Sequence, residues 1–409
     1  MIYVGDKKVR VLQVNAVYGI GSTGVIVEDI HKLSIEKGIE SYVAYSTTNR
    51  STVPNGYRIG NNLGKKIHAL FSRINGKQAY FSRNATVKFL RYIDEIKPDI
   101  VHLHNLHSNY INLNMLLKYL AKKDIKTVIT LHDCWFYTGG CFHYTSVDCY
   151  KWMDGCGNCP KKMVDTPAYL FDCSKKILDD RKKYFSRIKN LTVTGVSQWI
   201  LDEAKRGIFH KNNGAVIYNG VDTEIFCPTD SDLRKKYNSE DKFVILAPAN
   251  KMLSPVNKAV FEKVVESIDE NTVMWLLACP KDKRGDLSNN VIPIDFVTER
   301  EELIKLYSAA DVMLNPTREE SLSLLNVECM SCGTPVITFK NTGVKETVDN
   351  ESSFAVENDD MEAVFDKLKA IKEKGKMFFS ANCQKHVAEK FEKKKNYNRY
   401  IELYTEISN

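Results

Sequence analysis

The sequence predicts an α/β protein made of two doubly wound domains, each built on a parallel sheet. Its 409 residues exceed what one ordinary core holds, so two domains are expected. Short apolar runs alternate with longer helical patterns, and the series starts again after residue 230. The runs are continuously apolar rather than alternating, which is typical of parallel strands covered on both faces.

The two series predict the strands in chain order. The first comprises VRVLQVN (9–15), SYVAYS (41–46), DIVHLH (99–104), KTVITLH (126–132), LTVTGVS (191–197) and AVIYNG (215–220). The second comprises FVILAPAN (243–250), TVMWLLAC (272–279), NVIPIDF (290–296), DVMLNP (311–316) and TPVITF (334–339). We therefore expect domains over 1–220 and 221–385, and a final helix over 386–409 for which packing back onto the first domain is one option. Ligands of such domains bind beyond the carboxyl ends of the strands, so we expect the site in the cleft between the domains.

The composition predicts a folded chain that stays in the cytoplasm. Hydrophobic residues make up 43% and charged residues 27%, as in ordinary globular domains. No uncharged apolar run of about 18 residues occurs, and a strand pattern follows the N-terminus directly, so we expect neither a membrane span nor a signal peptide. The net charge of +7 favours an anionic partner such as a nucleotide or a phospholipid surface. Because the basic residues are spread along the chain, no nucleic-acid partner is expected.

Residues 64–92 combine basic and aromatic side chains. The basic residues are Lys65, Lys66, Arg73, Lys77, Arg83, Lys88 and Arg91, interleaved with Phe71, Tyr80, Phe81, Phe89 and Leu90. Two interpretations stay open: an amphipathic face that lies on an anionic membrane, or a solvated helix face over the first sheet. The first interpretation would place the protein peripherally at the inner face of the plasma membrane.

The segment TREESLSLLNVECMSCGTPVITF, residues 317–339, carries two glutamates eight positions apart. A helix that starts near Ser323 would leave Glu320 in the loop before it and put Glu328 about one turn inside it. Carboxylates accept hydrogen bonds from vicinal hydroxyls, and the free amides of a helix N-terminus suit a phosphate. A sugar nucleotide presents both kinds of group. Two glutamates at this spacing are also common on solvated helices, so the spacing alone leaves chance open.

Taken with other motifs, this segment resembles the retaining GT-B glycosyltransferases of family 4, especially those of bacterial capsule, O-antigen and exopolysaccharide synthesis. The family signature is matched by EESLSLLNVECMSCGTPVI, and the further matches are GSTG (21–24), PDIVHLHN (98–105), TLHDCW (131–136), VSQW (196–199), YNGVDTEIF (218–226) and LYSAADVMLNP (306–316). The resemblance implies two Rossmann-like domains that face a cleft. The first would lie on the acceptor side, and the second would bind a nucleoside-diphosphate sugar.

By this resemblance, Glu320 binds the hydroxyls of the donor sugar and Glu328 binds the ribose of the nucleotide. The backbone amides of Ser323 and Leu324 would face the diphosphate. The usual Gly-Phe-Gly after the first glutamate is Ser-Leu-Ser here, at 321–323. This departure loses the conformational freedom of glycine near the phosphates.

The resemblance also assigns roles to residues of the first domain. His132 would contact the donor sugar near the reacting carbon, and His104 and Asn105 would line the acceptor side. Gly21 and Gly24 would approach the donor phosphates and the acceptor. From the residues alone, a strand-end histidine is more often a structural hydrogen-bonding group, and the glycine turn can serve backbone geometry only.

The cations expected to neutralise the leaving diphosphate are the weakest match to the family. Its members carry an arginine and a lysine after the first strand of the second domain, whereas APANKMLSPVNKAVF (247–261) offers only Lys251 and Lys258. A guanidinium can bind two phosphate oxygens at once, which one ammonium does not do in the same way. We expect Lys251 to serve. No Asp-x-Asp run stands at a strand end, so no catalytic metal is expected.

Four cysteines lie in an insertion expected near 134–173. Cys141, Cys149, Cys156 and Cys159 fall within about twenty residues and end in a CxxC, the spacing of a structural zinc site, with His143 as a spare ligand. A redox pair or disulfide, and unbound thiols, stay open as alternatives.

Through the resemblance, the sequence predicts a retaining glycosyltransferase of surface polysaccharide biosynthesis. It would move a sugar from a nucleoside-diphosphate sugar to a glycan or a lipid-pyrophosphate-linked oligosaccharide. Closure of the cleft would exclude water, and the leaving phosphate itself would take the proton of the acceptor. The alternatives are a sugar-nucleotide epimerase of the same fold and a non-catalytic GT-B-like scaffold or binding protein.

Overall fold

The computed structural model describes residues 3–4, 7–285 and 287–408, and the chain divides into two compact units. The first unit runs to Ile217 and also includes the chain from Tyr397, while the second unit is Tyr218–Asn396. The change between units after Ile217 lies close to the junction that the sequence predicts after residue 220. The end of the chain belongs to the first unit.

The first unit alternates strands and helices along the chain. Its strands are β1 (Tyr3–Val4), β2 (Lys7–Lys8), β3 (Arg10–Val14), β4 (Val17–Tyr18), β5 (Glu40–Tyr45), β6 (Thr47–Thr48), β7 (Gly56–Arg58), β8 (Ile100–Leu103), β9 (Lys126–Leu131), β10 (Leu191–Gly195) and β11 (Asn213–Val216). Its helices are α1 (Gly21–Glu36), α2 (Asn62–Asn75), α3 (Arg83–Ile96), α4 (Leu113–Lys123), α5 (Ser174–Phe185) and α6 (Gln198–Arg206). Residues between β9 and α5 form mostly turns, with one 3-10 helix at Thr145–Val147.

Seven of these strands form one parallel sheet in the order β11-β10-β9-β8-β3-β5-β7. All four residues of β8 are buried, as are five of the six in β9, so both faces of the central strands are covered. This explains why the sequence shows continuous apolar runs there. Chain order reverses between β3 and β8, and loops at such a point leave room for a ligand at the carboxyl edge.

The last part of the chain packs into the core of the first unit. Tyr397, Tyr400 and Tyr404 share one buried cluster with Val11 and Val128. They lie on α14 (Lys393–Ser408), whose earlier residues belong to the second unit. Apolar burial therefore fixes the end of the chain against the first sheet.

The second unit has a parallel sheet of six strands in the order β14-β13-β12-β15-β16-β17. The strands are β12 (Phe243–Pro248), β13 (Thr272–Leu277), β14 (Val291–Pro293), β15 (Val312–Asn315), β16 (Val336–Phe339) and β17 (Phe354–Val356). The helices are α7 (Leu233–Lys236), α8 (Ala249–Met252), α9 (Lys258–Ser267), α10 (Arg300–Ala309), α11 (Leu324–Ser331), α12 (Met361–Lys374), α13 (Lys376–Lys390) and α14 (Lys393–Ser408). Chain order reverses between β12 and β15, which puts the segments after these two strands at the expected binding edge.

Both units therefore have the parallel α/β architecture that the sequence predicts. Within the described residues, every helix is too short or too polar to cross a lipid bilayer.

Candidate functional site

An ion pair lies at the point where the strand order of the second sheet reverses, between β12 and β15. Lys251 lies on α8, directly after β12, and Glu320 lies in the loop that follows β15. Lys251 Nζ and Glu320 Oε1 are 2.8 Å apart, and about a quarter of each side chain is exposed (25% and 28%). A cation and a carboxylate are thus offered together at the carboxyl edge, where solvent and a ligand can reach both.

Two further polar side chains brace this edge. Asn257 Nδ2 donates to the carbonyl oxygens of Lys251 (3.0 Å) and Pro316 (2.8 Å), which ties the segment after β12 to the segment after β15. Arg318 Nε donates to Asn257 Oδ1 (2.7 Å), and its guanidinium also pairs with Asp359 (Nη1 to Oδ2, 3.0 Å). The sequence reasoning missed Arg318, although it stands two residues before Glu320. Its hydrogen bonds to Asn257 and Asp359 tie the loop after β15 to these two residues.

Glu328 lies inside α11, on the other side of the same loop. Tyr307 from α10 donates its hydroxyl hydrogen to Glu328 Oε2 (2.9 Å). Burial raises the pKa of Glu328 to about 7, although Tyr307 and the charge of Arg300 act in the opposite direction. The carboxylate is therefore poorly solvated, and hydroxyl donors of a ligand would stabilise its charged form.

The backbone before α11 does not need glycine. Ser323 is the N-cap of α11 with φ of −87°, and none of residues 321–323 has a positive φ. Ser323 Oγ accepts a hydrogen bond from Asn315 Nδ2 (3.1 Å), so this hydroxyl stabilises the loop instead of capping the helix. The change from Gly-Phe-Gly to Ser-Leu-Ser therefore carries no penalty in φ, and the amides of Ser323 and Leu324 remain at the start of the helix.

Ser321 and Thr317 line the same loop with buried hydroxyls. Within the described chain, neither Ser321 Oγ nor Thr317 Oγ1 has a hydrogen-bond partner. Buried hydroxyls usually find partners, so these two oxygens mark a place where a polar ligand would improve the hydrogen bonding.

In the first unit, three polar side chains form a line at the carboxyl ends of β3, β8 and β9. His104 Nδ1 lies 3.0 Å from His132 Nε2, and His104 Nε2 lies 3.2 Å from Gln13 Oε1. Because Gln13 Oε1 accepts, His104 carries its proton on Nε2, so His132 Nε2 must donate to His104 Nδ1. His132 Nδ1 is then an acceptor, and it has no partner among the described residues.

The histidines in this line are neutral. Burial lowers the pKa of His132 to about 4, with an opposing contribution from the charge of Asp133. Burial also lowers the pKa of His104 well below its ordinary value. His132 therefore presents a neutral acceptor nitrogen, not a cation, at the end of its strand.

His102 extends the line into the core, and the sequence reasoning did not single it out. Its ring centroid is 3.9 Å from that of His104, and its Nδ1 lies 2.6 Å from the hydroxyl of Tyr404. The signal was present in the pattern His-Leu-His, because alternate residues of a strand share one face. The final helix thus supports the line of histidines from behind.

The remaining first-unit residues have mainly structural contacts. The amide of Asn105 donates to Asn15 Oδ1 (3.0 Å), and its carbonyl oxygen accepts from Ala16 N (2.9 Å). Gly21 has φ of +62° and borders open space, so its position needs glycine and leaves room for a ligand. A Cβ on Gly24 would meet the Val17 side chain at 3.1 Å, so a larger residue here would be tightly packed against Val17.

Comparison with known proteins decides the family. The family model described as Glycosyltransferase Family 4 matches residues 24–225, and that described as Glycosyl transferases group 1 matches residues 247–374. Together the two models span about four fifths of the chain. The chain belongs to the GT-B glycosyltransferases.

Relatives and solved structures agree with this assignment. The glycosyltransferase is 20% identical over 368 residues to the "Putative colanic acid biosynthesis glycosyl transferase WcaC" of Escherichia coli (strain K12), covering 86% of this chain and 88% of the relative. The sucrose-phosphate synthase of Thermosynechococcus elongatus superposes with a TM-score of 0.68 at 16% identity, covering 98% of this chain and 99% of that one. Anabaena Alr3699/HepE in complex with UDP has a TM-score of 0.66 at 14% identity, covering 98% and 100%. At these identities the solved structures show a shared fold.

Lys258 of this glycosyltransferase contacts a different carboxylate from the one that pairs with Lys251. It is the first residue of α9, its side chain is 77% exposed, and its Nζ is 3.7 Å from Glu262 Oε1 on the next turn. The structure thus pairs Lys251, and not Lys258, with Glu320.

The four clustered cysteines line one small cavity together with Gly139 and Trp152. All four thiols are free, and burial raises the pKa of Cys141 to about 12 and that of Cys156 to about 11. His143 Nδ1 lies 3.9 Å from Cys134 Sγ. In the part of the chain that the structure describes, no group of three or more His, Cys, Asp or Glu side chains is arranged to hold a metal ion. Structural zinc stays a prediction from the cysteine spacing and has no support from this geometry.

Proposed function

We propose that this glycosyltransferase moves a sugar, with retention, from a nucleoside-diphosphate sugar to a glycan or lipid-linked acceptor of surface polysaccharide biosynthesis. The observation that carries the proposal is the ion pair of Lys251 and Glu320 beside the start of α11. It supplies a cation for phosphate and a carboxylate for hydroxyls at the edge where doubly wound sheets bind ligands.

The second unit is proposed to hold the donor. Lys251 would leave Glu320 in part and bind the diphosphate, while Glu320 would accept hydrogen bonds from the sugar hydroxyls. Glu328 would accept from the ribose hydroxyls, which offsets the cost of its buried charge. The amides at the start of α11 would bind the phosphates, since a helix N-terminus favours anions.

Known neighbours support a sugar nucleotide as the donor. A structure of Anabaena Alr3699/HepE is described as a complex with UDP-glucose, and that of Starch Synthase IV from Arabidopsis thaliana as bound to ADP and acarbose. The name of WcaC supports a role in the synthesis of an exported polysaccharide.

The proposed chemistry needs no protein nucleophile. As the bond from sugar to diphosphate breaks, negative charge grows on the leaving oxygen, and Lys251 and the helix amides would stabilise that charge. The acceptor hydroxyl would attack from the same face and pass its proton to the leaving phosphate. In the first unit, the neutral Nδ1 of His132 would accept a hydrogen bond from a sugar hydroxyl near the reacting carbon.

A two-step experiment tests the proposal. Thermal shifts with UDP-, GDP-, ADP- and TDP-sugars would identify the donor, because a ligand at a hundred times its dissociation constant stabilises by about 2.7 kcal/mol. Transfer to candidate acceptors would then be followed by NMR of the anomeric proton. Retention of configuration is expected, together with loss of transfer in Glu320→Ala. Turnover of the sugar nucleotide to an epimer without acceptor would indicate an epimerase, and unchanged transfer in Glu320→Ala would refute the assigned site.

A further inference from the structure

An open cavity of about 690 Å³ lies in the first unit, outside the residues assigned to sugar transfer. This volume is in the range of sites for drug-sized ligands. The cavity is lined from β7, α2 and the start of α3, and its charged side chains are Arg58, Lys65, Arg83 and Lys88. All four are cations, and no carboxylate of the described chain lines the cavity. Its charge therefore matches an anion.

Among the described residues, no carboxylate forms an ion pair with any of these four cations. Lys65 Nζ donates to Thr47 Oγ1 (2.7 Å), and Arg58 Nη2 donates to Asn62 Oδ1 (2.8 Å), so both bind neutral oxygens. Burial and the neighbouring charge of Arg58 both lower the pKa of Lys65. Repulsion among like charges in one cavity is relieved by a multivalent anion.

Two helices begin at the cavity wall. Gly64 from the first turn of α2 and Ala85 from the first turn of α3 both line it. The side chain of Ser82 does not cap α3, because its hydroxyl pairs with His68 Nδ1 (2.8 Å). The amides in the first turn of α3 are therefore available to phosphate oxygens, whereas Gly64 N of α2 already donates to Asn61 Oδ1 (2.8 Å).

Exposed apolar side chains continue outward from the mouth of this cavity. On α2 they are Leu63 (68% exposed), Ile67 (49%), Leu70 (62%) and Phe71 (47%), which share one helix face. Ile67 and Phe71 also line the cavity. A second group follows in residues 163–171: Met163, Val164, Tyr169, Leu170 and Phe171, each more than half exposed.

Backbone hydrogen bonds connect the two segments that carry these apolar groups. The amide of Tyr169 donates to the carbonyl oxygen of Arg73 (2.7 Å), and that of Leu170 donates to the carbonyl oxygen of Ile74 (3.0 Å). Segment 163–171 is thus hydrogen-bonded to the end of α2. Large apolar side chains are rarely left exposed in such number unless another apolar phase covers them.

We propose that the cavity binds the head group of a membrane lipid that carries a diphosphate, while the apolar surface of α2 and 163–171 lies in the bilayer. The four cations and the helix amides bind the diphosphate, and the exposed apolar side chains meet the lipid tails. The inference deepens the proposed function, since this lipid would carry the acceptor sugar. It also favours, for residues 64–92, the interpretation as an amphipathic face that lies on an anionic membrane.

The test is a vesicle sedimentation assay with the full chain. Three vesicle types are compared: phosphatidylcholine alone, phosphatidylcholine with polyprenyl diphosphate, and phosphatidylcholine with phosphatidylglycerol at the same charge. Binding to the diphosphate lipid is expected to be at least about tenfold tighter than to phosphatidylglycerol. Inorganic diphosphate should compete for it. The variant Arg83→Glu/Lys88→Glu should lose at least about tenfold in this binding, because each cation near the surface contributes to lipid affinity.

A matched control and a second variant complete the design. Lys122→Glu/Lys211→Glu changes two exposed lysines of the same unit outside the cavity, and it should bind as the wild type does. Leu70→Ser/Phe171→Ser should weaken binding to every vesicle type. Equal binding to the two anionic vesicle types would overturn the diphosphate assignment, and equal losses in the cavity and control variants would overturn the cavity itself.

A soluble glycan acceptor separates this inference from the proposed function. If transfer to the soluble acceptor persists while the diphosphate lipid does not bind, only the lipid inference fails. If the lipid binds and no sugar nucleotide is ever turned over, the proposed function fails instead.

Discussion

Replacing Glu320 by glutamine separates the sugar half of the proposed donor site from its phosphate half. The substitution keeps the shape of the side chain but removes the charge that pairs with Lys251 Nζ at 2.8 Å. A free nucleoside diphosphate should then bind slightly more tightly, because Lys251 no longer has a competing partner. The complete sugar nucleotide should bind more weakly, because its hydroxyls lose a charged acceptor.

The exposure of the pair sets the expected size of both effects. Each side chain is about a quarter exposed, so the net stabilisation from the pair is about 1 kcal/mol or less, and the gain for the free diphosphate is at most about fivefold. A hydrogen bond to a charged acceptor exceeds one to a neutral acceptor by about 1 kcal/mol. Two sugar hydroxyls on Glu320 would therefore cost the sugar nucleotide about 2 kcal/mol, or about thirtyfold, which leaves a net loss of about sixfold or more after the gain at the diphosphate.

Isothermal titration calorimetry with the nucleoside diphosphate and its sugar nucleotide measures the two changes directly. Lys251→Met should weaken both ligands, and Lys263→Met, an exposed lysine of α9 in the same unit, serves as the control that changes neither. The reasoning is refuted if Glu320→Gln weakens both ligands by the same factor, since Glu320 would then contact the nucleotide and not the sugar.

Four further outcomes are expected. Because the pKa of Glu328 is about 7, nucleotide affinity should fall about tenfold per pH unit below that value, and Glu328→Gln should abolish this dependence. Because the folded chain binds this proton more tightly than the unfolded chain, protonated Glu328 contributes fully to the stability of the ligand-free fold below about pH 4.5, and the contribution is lost as the pH rises through about 7. Melting temperatures measured at several pH values should therefore fall over this range for the wild type relative to Glu328→Gln. His104→Leu removes the acceptor of His132 Nε2 and should lower kcat by roughly fivefold, from about 1 kcal/mol, while calorimetry shows unchanged nucleotide binding. If the four clustered cysteines bind zinc, metal analysis of the purified chain should find one equivalent of zinc, and the variant Cys156→Ser/Cys159→Ser should lose it. A wild-type chain that contains no zinc would refute this prediction.

The strands that could be predicted are those buried on both faces. Continuous apolar runs mark β8, β9, β12 and β13, because a parallel strand inside its sheet is covered by helices above and below. The sequence reasoning missed β7 and β17. Each has three residues and stands at one end of its sheet, where one edge lacks a partner strand and the apolar run is too short to detect.

The site could be predicted only in part, since its chemistry depends on contacts between distant segments. Glu320, Glu328 and Lys251 were proposed through motif resemblance, and their roles stay predictions. Nothing in the sequence shows that Lys251 pairs with Glu320. The link from Arg318 to Asn257 likewise depends on how two loops fold against each other. By contrast, His102 could have been found, because it stands two residues before His104 on one predicted strand.

The two departures from the family pattern have different physical consequences. Serines replace glycines before α11, and the backbone there has ordinary φ values, so the exchange leaves the helix amides where a phosphate would need them. The missing arginine near Lys251 removes a positive charge, and the guanidinium of Arg318, two residues before Glu320, is engaged by Asn257 and Asp359. Under the proposed function, a single ammonium and the helix amides would then stabilise the leaving diphosphate. Inserting the second cation, as Asn250→Arg on α8, should therefore raise diphosphate affinity if charge is what the site lacks, and calorimetry showing no gain would indicate that the amides alone suffice.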